Sequence, residues 1–132
     1  MIEMKYADFA WEQTAALLAV DSPSGYTKAA AQWVKDAFES LGFAAKITVK
    51  GGVIIARGGK DENDGLLLEA HADTLGAMVA TIKGNGRLKM TGLGGMNPNN
   101  AEAENVRVYT RDGKVIEGTC QLCNASVHVN GD

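Results

Sequence analysis

The period of the apolar residues changes partway along the chain, and this change bounds what the chain can fold into. Up to about residue 42, apolar side chains recur every three or four positions, the spacing of a helix packed on one face. The clearest stretch carries Ala29, Ala30, Trp33, Val34, Ala37, Phe38 and Leu41, with Lys28, Gln32, Lys35, Asp36 and Glu39 on the other face. Gly42 stands where a left-handed turn would end it. An earlier helix is expected from the stripe Ala10, Thr14, Leu17 and Leu18. Trp11 and Trp33 fall within the two helices, a context that favours packing. The break between them is Asp21-Ser22-Pro23-Ser24-Gly25. Pro23 disfavours helix at the residue before it, and Ser24 is the expected N-cap of the second helix.

Beyond Gly42 the pattern becomes that of strands. Runs at residues 44–49 and 53–56 flank Lys50-Gly51-Gly52, and the charged segment 60–65 reads as a solvated loop. Leu66-Leu67-Leu68 is apolar without alternation, the pattern of a central strand covered on both faces. Helices followed by such a strand predict an α/β fold, a layer sandwich. From Gly76 onward only strands are expected. Residues 77–82 and 88–90 flank Lys83-Gly84-Asn85-Gly86, and residues 106–110 and 114–119 flank Arg111-Asp112-Gly113. Asp112-Gly113 is a hairpin signal because both positions tolerate positive φ. The boundary between the helix-and-sheet portion and the all-β portion is placed near residues 75–78, giving segments 1–76 and 77–132.

Several function classes lose their usual support. No apolar stretch approaches the roughly 20 residues of a membrane-spanning helix. The net charge of -3 and the lack of a long basic run give no nucleic-acid footprint. The first residues do not form a basic segment followed by an apolar one, so no secretory signal is expected and the default location is cytoplasmic. Gly84-Asn85-Gly86 and Gly92-Leu93-Gly94-Gly95 precede no predicted helix and lack the P-loop Lys-Ser/Thr, so they read as a turn and a close backbone approach. Cys120 and Cys123 form a C-x-x-C pair. With His128 they offer at most three donors where a structural zinc takes four, and they are read as reduced thiols. His128, between Val127 and Val129, reads as a solvent-facing strand residue.

The segment most suggestive of chemistry is His71-Ala72-Asp73, just past the leucine run. Ligand sites of open α/β sheets form at the carboxyl ends of strands. Two residues apart in extended chain, His71 and Asp73 point the same way. His71 has a ring nitrogen to offer a metal, and Asp73 a carboxylate to orient that ring. The plain alternative is a His and an Asp in an ordinary strand-end loop. Glu69, by alternation, shares the face of His71 and is the only other local carboxylate; a salt-bridged strand-end residue is its plainer reading.

Three segments together resemble a known family. They are Asp21-Ser22-Pro23-Ser24-Gly25, the run from Glu69 through His71-Ala72-Asp73-Thr74-Leu75-Gly76-Ala77-Met78-Val79, and Thr91-Gly92-Leu93-Gly94-Gly95. In that order, and followed by Val106-Arg107-Val108-Tyr109-Thr110-Arg111-Asp112-Gly113, they resemble the glutamyl or deblocking metallo-aminopeptidases of metallopeptidase family 42, which form tetrahedral particles. The resemblance implies a partial α/β/α layer sandwich of zinc-exopeptidase type, followed by the start of an inserted β-barrel domain. It implies that His71 is a ligand in a two-metal site of zinc or cobalt, and that Asp73 is the supporting catalytic carboxylate. Further carboxylates, another His and a general-base Glu would come from sequence that this chain does not contain. The resemblance further implies peptide substrates and a homo-oligomer. The 132 residues taken alone are expected to be inactive and to bind no metal tightly. The alternative expectation is a non-catalytic assembly module that self-associates through its β domain.

Overall fold

The computed structural model describes residues 4–61 and 63–121. The chain divides into two compact units, Met1–Gly94 and Gly95–Asp132. The first unit opens with two helices, α1 (Met4–Leu18) and α2 (Lys28–Ser40). Strands β1 (Ala45–Ile47) and β2 (Val53–Ile55) follow, then β3 (Gly76–Ile82) and β4 (Leu88–Leu93). The second unit holds β5 (Asn105–Tyr109) and β6 (Val115–Thr119).

Helix α2 shows how the sequence builds its elements. Ala30 of its apolar stripe and the neighbouring Ala31 are buried. Its polar face is laced at i, i+4: Lys35 Nζ lies 2.6 Å from Glu39 Oε2, and Gln32 Nε2 donates to Asp36 Oδ1 at 2.7 Å. Gly42, at φ +85°, ends the helix as expected. The Gly42 amide donates to the Glu39 carbonyl (2.9 Å) and the Phe43 amide to the Phe38 carbonyl (3.1 Å). This bond pattern is a Schellman cap, and its usual apolar contact is present: Phe38 and Phe43 meet edge to face with centroids 6.4 Å apart. The Arg57 guanidinium sits 5.3 Å from the Phe43 ring centre, on the far chain of the next hairpin.

The strands form three separate antiparallel hairpins, β1 with β2, β3 with β4 and β5 with β6. All three close by the same device. The Thr48 amide donates to the Gly52 carbonyl, Lys83 to Arg87, and Thr110 to Lys114, at 2.8, 2.8 and 2.9 Å. Each three-residue loop ends on a left-handed glycine: Gly51, Gly86 and Gly113, at φ +86°, +80° and +82°. This is the turn-plus-bulge closure of three-residue hairpins. The hairpin expected at Asp112-Gly113 forms, with only the glycine at positive φ. A register shift between Val79 and Thr81 interrupts β3.

Other expectations need correction. Residues 66–68 form no strand, and Leu66, Leu67 and Leu68 are 86%, 83% and 82% exposed. No described segment lays a ladder along either edge of this run, and an apolar strand without neighbours has nothing to cover it. Helix α1 buries none of its residues, and Trp11 on it is exposed. The all-β expectation beyond Gly76 missed a short 3-10 turn, Pro98–Ala101, capped where the Asn97 side chain accepts from the Asn99 amide at 3.0 Å. Ser24 is not the cap of α2. Thr27 occupies that position and makes no side-chain capping bond. The described residues thus mix helices with small antiparallel sheets, as an α/β chain does.

Candidate functional site

Two segments of the first unit are stitched together around His71 and Asp73. Pro23 and Thr74 form an isolated parallel bridge. The Thr74 amide donates to the Ser22 carbonyl (2.9 Å), and the Ser22 hydroxyl donates to the Ala72 carbonyl (3.0 Å). Ser22 is 1% exposed, the most buried polar residue of the described chain, and both its carbonyl and its hydroxyl are engaged across this seam. Residues 23–26 turn back on themselves, the Tyr26 amide donating to the Pro23 carbonyl at 2.7 Å. Gly25 supplies the left-handed conformation at the third position of that turn, φ +87°. The turn leaves Ser24 at its second position, facing residue 73.

There the Ser24 hydroxyl donates to Asp73 Oδ2 at 2.6 Å. The other carboxylate oxygen, Oδ1, lies 3.1 Å from His71 Nδ1, which is also 3.1 Å from the Asp73 carbonyl oxygen. Both partners of Nδ1 are acceptors when Asp73 is ionised. Of the two neutral tautomers, the arrangement therefore favours the one with its proton on Nδ1 and a lone pair on Nε2. The hydrogen bond from Ser24, and next that from His71, hold the Asp73 carboxyl below its ordinary range. The His71 side chain is 86% exposed and that of Asp73 40% exposed, so the ring stands in solvent while the carboxylate is half covered.

The pair opens onto a cleft of about 350 Å³ between the seam and the first hairpin, lined in part by Ser24, Gly25, Lys50, Gly51, His71 and Asp73. The N-terminal end of α2 contributes Thr27 and Ala30 to its wall. Glu69, expected on the face of His71, is exposed. Among the described residues no group of three or more His, Cys, Asp or Glu converges. Cys120 is a half-buried free thiol at the end of β6, while Cys123 and His128 lie outside the described residues. Sequence reasoning missed the roles of Ser22 and Ser24 because it assigned the serine-proline turn to helix capping. The available signal was redundancy: two serines flank one proline, and a helix start uses one cap.

The donor chemistry fits part of a metal site. One imidazole lone pair, held by a carboxylate acting on the other ring nitrogen, is how proteins present a His to a divalent ion. A catalytic zinc takes three protein ligands, so one imidazole by itself would be only part of such a donor set.

Residues 51–132, more than half of the chain, match the family described as M42 glutamyl aminopeptidase. The chain belongs to this family. Aminopeptidase YhfE of Bacillus subtilis (strain 168) is 36% identical over 116 residues, which is 88% of this chain and 34% of that protein. Glutamyl aminopeptidase of Lactococcus lactis subsp. cremoris (strain MG1363) is 29% identical over 107 residues, 80% of this chain and 30% of that protein. The chain spans about a third of the length of these M42 relatives. Among the described residues no helix is long and apolar enough to cross a membrane.

Proposed function

We propose that this chain supplies the first metal-binding side chain, His71, and its supporting carboxylate, Asp73, to a two-metal aminopeptidase that removes residues from peptide N-termini. The observation that carries this reading is the Ser24–Asp73–His71 chain of hydrogen bonds, which engages Nδ1 of an exposed ring that lines a cleft and leaves Nε2 for another partner. Membership of the M42 family supports the reaction class. The work of these residues is positional. Asp73 holds the proton on Nδ1, keeps the ring from turning and directs its lone pair outward. Zinc or cobalt, when bound, supplies Lewis acidity toward the scissile carbonyl and a nucleophilic water. The remaining donors and the general base are assigned to residues outside this segment. The layer sandwich, the β-barrel insertion, a cytoplasmic location and a homo-oligomer belong to the same proposal.

A hydrolytic assay tests it. The natural protein carrying this sequence, given zinc or cobalt, releases aniline from aminoacyl anilides, and His71→Ala removes that release. The 132 residues alone show no turnover under the same conditions. Turnover by the isolated chain, or full activity of the His71→Ala protein, refutes the reading.

A second reading rests on the surface of β3 and β4, where Met78, Val79, Ile82, Leu88 and Met90 are exposed on a sheet whose outer edges pair with no other described strand. Such edges recruit further strands, and the chain is then an assembly module rather than part of a catalyst. Sedimentation separates the two: a strict monomer at high concentration rules out self-association.

A further inference from the structure

We infer that Ser24 is a positioning residue for the His71–Asp73 pair: its hydroxyl fixes the carboxylate of Asp73 so that the imidazole of His71 presents Nε2 to a divalent metal ion. The inference rests on the reading of His71 as a metal donor and adds to it the part that sets the carboxylate's orientation. A carboxylate on a single-residue side chain is free to rotate about χ2, a broad torsion without deep wells. In this structure both ends of that rotation are fixed. Oδ2 takes the Ser24 hydroxyl at 2.6 Å and Oδ1 takes His71 Nδ1 at 3.1 Å. Removing the first bond leaves the second to hold the ring by itself.

The rest of the seam is arranged to bring Ser24 there. Ser22 ties its segment to residues 72 and 74 through its hydroxyl and its carbonyl. Pro23 lies against Gly76, and the turn through Gly25 carries Ser24 back over residue 73. A serine in this place has an ordinary alternative use as a helix cap, but α2 begins at Lys28 with Thr27 as its cap, and the Ser24 hydroxyl is given to Asp73. Ser22 therefore anchors the backbone, and Ser24 acts on the side chain.

The test uses the full 132-residue chain labelled with ¹⁵N. The two ring-nitrogen shifts of His71 report which nitrogen is protonated, and zinc titration of the same signals reports its affinity. In the parent chain the proton resides on Nδ1. Ser24→Ala mixes the two tautomers and weakens zinc binding at His71 up to about tenfold, within the range for removing an outer partner of a metal ligand. Ser24→Cys, close in shape and a weak donor, behaves as Ala does and serves as the second variant should Ala disturb folding. Ser24→Thr, which keeps the hydroxyl, restores the tautomer and the affinity. Exchange protection of the Thr74 amide checks that the seam is intact in each. Zinc affinity and tautomer unchanged in both the Ala and Cys variants, or Thr behaving as Ala, overturn the positioning role while leaving His71 a metal donor. A tautomer that responds to Ser24 while zinc leaves His71 unmoved supports the positioning role and removes the metal reading.

Discussion

Pro23 and Gly76 approach so closely that a β-carbon built on Gly76 would stand 2.5 Å from the Pro23 β-carbon. The contact lies two residues beyond the Pro23–Thr74 bridge, so it sets how far the segment carrying Asp73 can lie against the Ser22–Ser24 segment. Gly76→Ala must push the two apart. Overpacking of this kind costs about 1–3 kcal/mol. The seam is expected to open first, seen as faster exchange of the Thr74 amide, with the caps of α2 untouched. Unchanged Thr74 protection in the alanine variant would show that the two segments do not touch this way.

The three exposed leucines make a different kind of prediction. Leu67→Lys replaces a side chain that is 83% exposed. Substitutions at such positions stay within about 0.5 kcal/mol. The urea midpoint of the chain should hold, while its tendency to associate falls, because a contiguous apolar run in water is a contact surface. A loss well above 1 kcal/mol would mean that Leu67 is buried in the chain after all.

The β5–β6 hairpin carries a pH-dependent tie. Asp112 accepts from the Thr110 hydroxyl and pairs with Lys114 Nζ at 2.9 Å. The hydrogen bond from Thr110, followed by that from Lys114, lowers its pKa below the ordinary 3.8. A carboxylate lowered in the folded state stabilises the hairpin above its unfolded pKa, and that contribution is lost as pH falls through the folded value. The loss therefore belongs below pH 3.8, not near neutrality. The Asp112 carboxyl signal in a ¹³C titration should have its midpoint below that of a free aspartate, and Thr110→Ala should raise it. A midpoint at or above the free value contradicts the geometry.

Local signals were readable in this sequence to the extent that the physics was local. Helix α2, its glycine stop and the six strands of the described residues came from periodicity and turn residues, and these elements are stabilised by bonds between near neighbours. His71 and Asp73 were picked out by a two-residue spacing, and the structure sets their side chains 3.1 Å apart. What was not readable depended on partners far along the chain. Ser24 looked like a cap until residue 73, 49 positions on, took its hydroxyl. Leu66, Leu67 and Leu68 read as buried because apolar runs usually are; burial needs neighbouring strands, and none of the described residues supplies them. The Pro98–Ala101 turn was overlooked because a single 3-10 turn has too few residues to show a period.

The Nε2 atom of His71 is what the ring offers a metal, and selective paramagnetic broadening addresses it directly. The chain has two histidines, His71 and His128. Added to the 132-residue chain, cobalt(II) at submillimolar concentration should broaden the His71 ring signals first, and Asp73→Asn should weaken that response about 10- to 100-fold. Equal broadening of both histidines, or a response at His71 that ignores Asp73, would contradict the claim that this pair is arranged to hold a metal.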